Sequence, residues 1–378
     1  MKAAALARLG PVVGFALVFV VSSGFDVHTN VAGSIQLDYL FVPTRERGVE
    51  IGFDGFTTEL SLKMVADFGE RTSAQIKVCY GCHGFEVGMA YLDFWLLDEL
   101  SLRVGRMNPR FGDFPLRHDP ANHRANSKPL PYDMGRMLRR VEWNNSILPI
   151  PYADNGVEVY GTFWLGDAVA LDYAAHAMSG LKGGIGSSDI DFVLSRSPAL
   201  YYTDNNSRPA VGGRLSLTAN FSDDVTLTVG GSGIYGEYDP EAKRSYTLLG
   251  ADAHFRAYGL VVRAEVLGRR TEIGTEASSL RFLPTSDEEF FIKEGFYIEV
   301  EYPFTSWFEA FARWDGMRRF GNLPSSSPLR RESAILRYTP GVNVILHRSI
   351  RFKLSGEYWD FSDFPDELAF HFGLVGNF

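Results

Sequence analysis

Apolar and polar residues alternate with period two along most of the chain. In IRFKLSGEYW, residues 350–359, Ile350 and Phe352 share one face while Arg351 and Lys353 share the other. Strict alternation is typical of β-strands with one apolar and one polar face. We expect the charged face to contact water. The same alternation recurs in the segments 212–221, 225–238, 246–258, 260–270, 295–304 and 307–316.

Short and long connections alternate between these strands, the long ones lying at 110–155, 180–208, 239–245, 273–293 and 321–331. Tight periplasmic turns and longer extracellular loops alternate in this way in outer-membrane barrels. If 49–69 is one long strand, the strand count is about 16, and an even count is usual in such barrels. The predicted fold class is all-β: a transmembrane antiparallel β-barrel of about 16 strands with long extracellular loops, in the outer membrane of a Gram-negative bacterium. A soluble all-β fold stays an alternative.

The two ends of the sequence support export to that membrane. Lys2 and Arg8 precede an apolar run, and small residues follow it, which is the order of a secretory signal. We predict a signal peptide at 1–24 and a single barrel domain at 25–378, with an N-terminal membrane anchor as the alternative to the signal. The last strand, HFGLVGNF, alternates and ends on Phe378. A terminal strand of this kind resembles the signature of outer-membrane barrels, and an ordinary soluble strand is the alternative.

Composition agrees with a barrel. The chain is 45% hydrophobic, with 29 Phe, 17 Tyr and 6 Trp, yet its mean hydropathy is only −0.08. Strands that alternate lipid-facing and lumen-facing residues average to such a value. The net charge of −9 becomes −11 once Lys2 and Arg8 leave with the signal. An acidic chain disfavours nucleic acid as a partner.

The most distinctive segment follows the strand that ends near Met107. It contains Gly105-Arg106 and then Asn108-Pro109-Arg110-Phe111-Gly112, followed by a loop dense in Pro, Arg, His and Asp. Together with the C-terminal strand, this segment resembles the sequences of the phosphate-selective porin-like family. The resemblance implies a 16-strand barrel, often trimeric, whose third loop folds inward, narrows the channel and guides anions with Arg and Lys. The acidic balance of this chain argues against carrying over phosphate specificity.

Basic residues of this loop are the candidates for the constriction. Arg is suited to oxyanions because its planar fork offers paired donors, and rings of charge select ions in pores. The alternative is that these side chains pair with Asp113, Asp119, Asp133 and Glu142 and hold the loop rigid. The candidates are Arg110, Arg117, Arg124, Lys128, Arg136, Arg139 and Arg140.

Both cysteines of the chain lie in CYGCH, residues 79–83, which we predict on the extracellular side. Cys-x-x-Cys-His is the pattern of covalent c-type haem attachment. It predicts that Cys79 and Cys82 bind haem c and that His83 is the proximal iron ligand. A small Cys79–Cys82 disulfide is the first alternative. The second is a metal site made by the two cysteines with His118 and His123.

A haem here would need further partners. The distal ligand is unassigned among His118, His123, Met107, Met134 and Met137. One haem cannot carry electrons across a hydrocarbon layer of ~30 Å, so electron transfer would require a periplasmic or surface cytochrome.

Catalytic motifs are missing from the sequence. It contains no G-x-S-x-G and no HExxH, and GGIGSS at 183–188 lacks the lysine of a phosphate-binding loop. We therefore predict that the chain is not an enzyme. Two hypotheses remain: a channel for small hydrophilic or anionic solutes, and a haem-bearing redox barrel.

Overall fold

The computed structural model describes residues 27–43, 55–81, 84–133, 146–183, 192–196, 202–273, 290–321 and 332–378. The predicted signal peptide at 1–24 lies outside these residues and stays a prediction. Among the described residues, no helix is long and apolar enough to cross a membrane.

Sixteen antiparallel strands form a closed barrel in which each strand pairs with its neighbours in the chain and β1 pairs with β16. The predicted fold class is confirmed, and the described part of the segment 49–69, from residue 55 on, holds one strand, β2. The strands are β1 (Val27–Phe41), β2 (Gly55–Phe68), β3 (Thr72–Gly81), β4 (Gly84–Leu97), β5 (Leu100–Met107), β6 (Asp154–Trp164), β7 (Val169–Met178), β8 (Ala210–Ser222), β9 (Val225–Glu237), β10 (Ser245–Ala257), β11 (Leu260–Glu272), β12 (Phe290–Pro303), β13 (Phe308–Gly321), β14 (Glu332–His347), β15 (Ile350–Phe361) and β16 (Glu367–Asn377).

The C-terminus closes the barrel against β1. The Gly33 amide donates to the Phe378 carbonyl at 2.9 Å, and the Phe378 amide donates back to the Gly33 carbonyl at 3.1 Å. A Cβ on Gly33 would lie 2.6 Å from the Phe378 ring. Glycine is therefore required for the terminal aromatic ring to pack over β1.

The outer face is apolar, as the alternation predicts. Ile350 and Phe352 are 42% and 37% exposed. Trp314, Tyr338 and Tyr358 stack across three neighbouring strands, with ring centroids 6.2 and 6.3 Å apart. An apolar outer surface with aromatic rows is the surface that a barrel presents to lipid.

The core lies inside the barrel. Residues 108–133 and 146–153 are the described parts of the third loop, between β5 and β6; they are here called L3, and they fold into the lumen. The apolar side chains of L3 pack against inward residues of the wall such as Leu248 and Trp359. The L3 members of this cluster are at most 1% exposed: Phe111, Phe114, Leu130, Tyr132, Ile147, Leu148 and Ile150.

The expectation that the charged inner face contacts water is wrong for part of the wall. Lys353 and Glu357 are only 0% and 2% exposed. They alternate as predicted, but L3 covers them. The inner face is polar because it binds the loop as well as solvent.

Candidate functional site

Wall side chains from many strands hold the main chain of L3. Unpaired buried amide and carbonyl groups are costly, so these bonds are what allow an irregular loop to cross the lumen. On the amide side, Glu158 accepts from Arg110 N at 2.8 Å, Ser232 from Gly112 N at 3.0 Å, Glu265 from Phe114 N at 2.7 Å and Asp315 from Leu130 N at 3.0 Å. On the carbonyl side, Arg313 donates to Ser127 O at 2.9 Å, Arg337 to Lys128 O at 2.6 Å and Arg269 to Ile147 O at 2.7 Å.

Glu265, on β11, is a centre of these contacts. Its carboxyl group also accepts from the hydroxyl of Tyr132 at 2.6 Å and from that of Tyr297 at 2.5 Å. Glu265 and both tyrosines are at most 2% exposed. A buried carboxyl group needs such donors, so L3 and the wall complete each other here.

A second buried centre lies on β13 and β14. Arg337 donates to both carboxylate oxygens of Asp315, at 3.0 and 2.5 Å, and the Arg313 guanidinium lies 3.2 Å from the same carboxylate. All three side chains are 0% exposed. Asp315 is the carboxylate that both arginines share, while Arg337 also lies 3.4 Å from Glu357 and Arg313 3.6 Å from Glu299.

Lys353, on β15, binds the loop from the same side. Its ammonium donates to the carbonyls of Pro120 and Ala125 at 2.5 and 3.3 Å, and to Gln36 Oε1 at 3.2 Å. Asn126, one residue further along L3, donates to Asp38 on β1 at 2.5 Å. The loop is therefore tied across the seam between the first and last strands.

A different set of charges forms a chain of alternating ion pairs, here called the charge ladder. It has four arginines and three carboxylates, which gives it a net charge of +1. Its contacts, in order, are Arg117 to Asp113 at 2.8 Å, Asp113 to Arg263 at 3.9 Å, Arg263 to Glu301, Glu301 to Arg124 at 3.4 Å, Arg124 to Glu309 at 3.0 Å and Glu309 to Arg351 at 3.3 Å.

The arginines of the charge ladder keep more contact with water than two of its carboxylates. The side chains of Arg124 and Arg351 are 27% and 20% exposed, whereas Glu301 and Glu309 are each 7% exposed. Burial alone would raise the pKa of Asp113, but the Arg117 and Arg263 guanidiniums outweigh it and hold that pKa below its ordinary value. The water-facing side of the charge ladder is thus cationic at Arg124 and Arg351, whereas at its other end Asp113, 25% exposed, is more accessible than Arg117 and Arg263.

The structure places four of the predicted constriction residues in L3. Arg117 and Arg124 belong to the charge ladder. Arg110 lies 3.6 Å from Glu158 and 3.8 Å from the Tyr160 ring centre, and Lys128 donates to the Ile150 carbonyl at 3.4 Å. The other three, Arg136, Arg139 and Arg140, lie outside the described residues.

The acidic residues proposed as loop partners behave differently from one another. Asp113 pairs within L3, with Arg117. Asp119 instead pairs with Lys77 on β3 at 2.5 Å, and Asp133 lies 3.8 Å from Arg337 on β14. Glu142 is outside the described residues. Most loop charges are thus matched by the wall and not by the loop itself.

Cys79 lies near the end of β3, where Gly81 pairs with Gly84, on the same side of the barrel as L3. Cys82 and His83 lie outside the described residues. The lumen side of Cys79 opens into a cavity of about 60 Å³ shared with His118 and Asp119. Small-molecule sites usually measure ~300–1,000 Å³. A haem does not fit on this side of the hairpin with L3 in place.

The two histidines named for a metal or haem site have other surroundings. His118 Nδ1 donates to the Pro115 carbonyl at 2.7 Å, so its Nε2 accepts from the Lys77 ammonium at 3.2 Å. Burial, with Lys77 beside it, lowers the pKa of His118 to about 4. His123 lies against the Phe114 ring, with centroids 5.7 Å apart. An ammonium group in contact with His118 opposes a metal cation there.

Metal and haem ligands are not assembled in the described part of the chain. No three His, Cys, Asp or Glu side chains among these residues form a group that could hold a metal ion. Met107 is buried at the end of β5, while Met134 and Met137 lie outside the described residues. The haem and metal interpretations stay predictions from sequence.

Sequence reasoning missed the wall residues that bind L3. Alternation placed Arg263, Glu265, Arg351 and Lys353 on the polar face. It carried no signal for which of them L3 covers, because that depends on the path of a loop without periodic pattern. The distinction between anchoring and water-facing charges appears only in three dimensions.

Comparison with known proteins supports the fold. No protein-family model matches the chain, and no curated protein sequence matches it. Solved structures do match. The anion-selective porin from Comamonas acidovorans has a TM-score of 0.59 at 10% identity, with 93% of this chain and 100% of that chain covered.

Two further structures have the same fold. The outer membrane channel DcaP of Acinetobacter baumannii has a TM-score of 0.55 at 11% identity, with 93% and 97% of the two chains covered. The trimer form of OmpT, an outer membrane protein of Vibrio cholerae, has a TM-score of 0.52 at 8% identity, with 93% and 99% covered. With the closed barrel and its apolar belt, this likeness shows that the chain has the β-barrel fold of Gram-negative outer-membrane proteins. The narrower resemblance to the phosphate-selective porin-like family stays a prediction.

Proposed function

We propose that the chain is a porin-like channel for small hydrophilic solutes, with L3 as its filter. The observation that carries this proposal is the charge ladder, a row of partly exposed guanidiniums that lines the lumen beside an inward-folded loop. Charged side chains that remain in contact with water are not needed to hold L3 in place, so the exposed arginines of the charge ladder point to a role in the channel. Leu116 supports it as well, because this L3 side chain is 58% exposed and so borders open space.

The charge ladder favours small anions over small cations, weakly. Its net charge is +1, and two of its carboxylates, Glu301 and Glu309, are more covered than Arg124 and Arg351. Each of these arginines also contacts a carboxylate, which partly cancels its attraction for a passing anion. We infer a modest preference and no dedicated phosphate site.

Single-channel recording in planar bilayers tests the channel. The wild type should conduct in small steps. Its reversal potential in a salt gradient should show a slightly higher permeability to anions than to cations. A barrel that stays closed at all voltages and at every salt concentration would sink the proposal.

The pair Arg124→Gln and Arg351→Gln tests the charge ladder. Together they change its net charge from +1 to −1, so the reversal potential should move toward cation preference. Arg208→Gln is the control, because Arg208 is 63% exposed and lies outside the lumen network, paired with Glu237. An unchanged reversal potential in the double variant would show that the charge ladder does not select ions.

For CYGCH we propose the disulfide alternative, in which Cys79 bonds Cys82. The cavity beside Cys79 is too small for a haem. Among the described residues the Cys79 thiol is free, so the support for the disulfide is the Cys-x-x-Cys spacing in an exported chain. Intact mass and alkylation before and after reduction test it, beside a haem stain. Two alkylations that need prior reduction support the disulfide. A mass increase by one haem, lost in Cys82→Ser, would restore the redox hypothesis with its cytochrome partner.

We further propose a homotrimer. Its support is the shared fold with the trimer form of OmpT from Vibrio cholerae. Light scattering with subtraction of detergent mass measures the assembly directly. A mass of one chain in mild detergent and in nanodiscs would contradict it.

A further inference from the structure

One lysine of the lumen wall has no carboxylate partner among the described residues. Lys63, on β2, faces the lumen, because Met64 beside it is 42% exposed on the outer face and Ser61 is 7% exposed on the inner one. The Lys63 side chain is half-buried, and within the described ranges it makes no hydrogen bond and no ion pair. Its charge is therefore open to groups that enter the lumen.

Lys63 lies beside other cations. It pairs in register with Lys77 on β3, and residues directly opposite each other have Cβ atoms ~4.5–5.5 Å apart. Like charges in this arrangement destabilise a sheet. Arg103 on β5 repels Lys63 as well, and Asp119 of L3 attracts it. Asp119 already pairs with Lys77 at 2.5 Å, so the repulsion at Lys63 is only partly offset.

The ion pairs around Lys63 leave one positive charge over. Lys63 and its surroundings, here called the Lys63 cluster, contain four cations and three carboxylates, which gives a net charge of +1. Each cation except Lys63 contacts a carboxylate. These contacts are Lys77 to Asp119 at 2.5 Å, Arg103 to Asp93 at 2.7 Å and Arg110 to Glu158 at 3.6 Å.

The carboxylates of β2 itself lie too far along the strand to match this charge. Glu59 and Asp67 share the inner face with Lys63, four residues away on either side. Four residues span ~13 Å along a strand, which exceeds the Debye length of ~8–10 Å at physiological salt. Lys63 thus stays the unmatched charge of its cluster.

Lys63 also lies where L3 meets the wall. Its register partner Lys77 contacts L3 through Asp119 and His118, so a solute that passes the edge of L3 beside β2 meets Lys63. The wall residues of the charge ladder are on β11, β12, β13 and β15. Lys63 therefore adds positive charge on a different side of the lumen.

We propose that Lys63 is a specificity-determining residue of the channel, whose ammonium pairs with small anions, such as the carboxylate of an organic acid, as they pass L3. This inference rests on the proposed channel function. A small anion at Lys63 takes the place of the missing carboxylate and relieves the repulsion from Lys77. A lone ammonium acts as a point charge without the paired donors of arginine, so it selects by charge and not by the shape of the anion.

Bilayer recording of the full barrel tests this assignment. In a potassium chloride gradient, Lys63→Gln should lower the chloride-to-potassium permeability ratio about threefold, the factor that one unit charge exerts in water on an ion ~6 Å away. Lys63→Arg keeps the charge and should keep the ratio. Lys243→Gln is the control, because Lys243 is 74% exposed in the loop between β9 and β10, where it pairs with Glu241 at 2.6 Å.

Unfolding in detergent separates this role from a structural one. Because Lys63→Gln removes the repulsion from Lys77, its denaturant midpoint should equal or exceed that of the wild type. A lower midpoint would show that Lys63 holds the fold and would overturn the proposal. So would a permeability ratio that is unchanged in Lys63→Gln, or one that falls equally in Lys63→Arg. A wild-type barrel that never conducts would contradict the channel itself and remove this inference with it.

Discussion

Two neighbouring regions of the lumen wall use the same residue types for different purposes. On β13 to β15, Arg313, Asp315 and Lys353 are fully covered by L3 and bind its main chain or one another. On the same strands, Glu309 and Arg351 belong to the charge ladder, and Arg351 keeps 20% of its side chain exposed. Position along the strand separates the two regions, since the buried charges lie nearer the extracellular end.

The difference teaches that a charge in a barrel lumen is not by itself a channel residue. Where L3 covers it, the charge replaces water as the partner of loop amides and carbonyls. Where L3 ends, the same kind of side chain faces solvent and acts on permeating ions. Experiments that separate stability from ion selectivity can test this division.

Asp315→Ala should have the largest effect on stability. It leaves Arg337 and Arg313 buried without their shared carboxylate and leaves the Leu130 amide without its acceptor. Breaking a buried ion pair from one side costs ~3–5 kcal/mol. The denaturant midpoint in detergent and protease cleavage within L3 both measure this loss.

The control for Asp315→Ala is Glu309→Gln, on the same strand but in the charge ladder. It should change the midpoint little and the reversal potential measurably. If both variants lost equal stability, the two regions would not differ in the way described.

Lys353→Met and Arg351→Gln form a closer pair, two residues apart on β15. Lys353→Met leaves the Pro120 and Ala125 carbonyls without their donor, at a cost of ~1–3 kcal/mol for each buried group. Its reversal potential should stay near that of the wild type.

Arg351→Gln should show the opposite behaviour. It changes the net charge of the ladder from +1 to 0 and should reduce anion preference. It also removes one long hydrogen bond, from Arg351 to the Ala121 carbonyl of L3 at 3.4 Å, so the free energy of unfolding should fall by about 1 kcal/mol, less than in Lys353→Met. Paired bilayer recording and unfolding of the two variants measure both quantities. A selectivity change in Lys353→Met with none in Arg351→Gln would reverse the assignment of the two regions.

The sequence predicts the barrel because the alternation within each strand shows which side chains face the lumen and which face the lipid. Alternation in IRFKLSGEYW is enough to place Arg351 and Lys353 inward, and the spacing of short and long connections gives the strand count. Nothing in that pattern separates Arg351 from Lys353. Whether each side chain is covered or exposed depends on where residues 120–125 of L3 lie. Contacts with residues far away in the chain position this irregular loop.

The candidate site is predictable in location and not in pairing. The resemblance carried by residues 105–112 implies an inward third loop, and Arg117 with Asp113 is a pair of the kind expected four residues apart. Arg124 pairs with Glu301 and Glu309, which lie more than 170 residues further along the chain. Only the closed barrel brings them together, so spacing along the chain predicts the Asp113–Arg117 contact of the charge ladder and none of the others.

A further expected effect is a weakening of L3 at acid pH. His118 is neutral in the folded protein, because its Nε2 accepts from Lys77, and its pKa of about 4 lies below the ordinary value of 6.5. Between these values the unfolded chain binds more protons than the folded one, so stability falls as pH decreases from about 6.5 to 4. Lys77 and Lys128 oppose the protonated ring, and Asp119 favours it.

Protease cleavage of L3 between pH 7 and pH 4.5 measures this dependence, with an acid-active protease and a denatured substrate as the reference. Cleavage in the wild type should increase as pH falls. His118→Gln should flatten the response in part, since His123, whose pKa burial and then Lys353 hold well below its ordinary value, acts with the same sign. An equally steep response in His118→Gln would show that Lys77 and His118 do not control the acid sensitivity of the loop. The link between β3 and L3 would then depend on the Lys77–Asp119 pair alone.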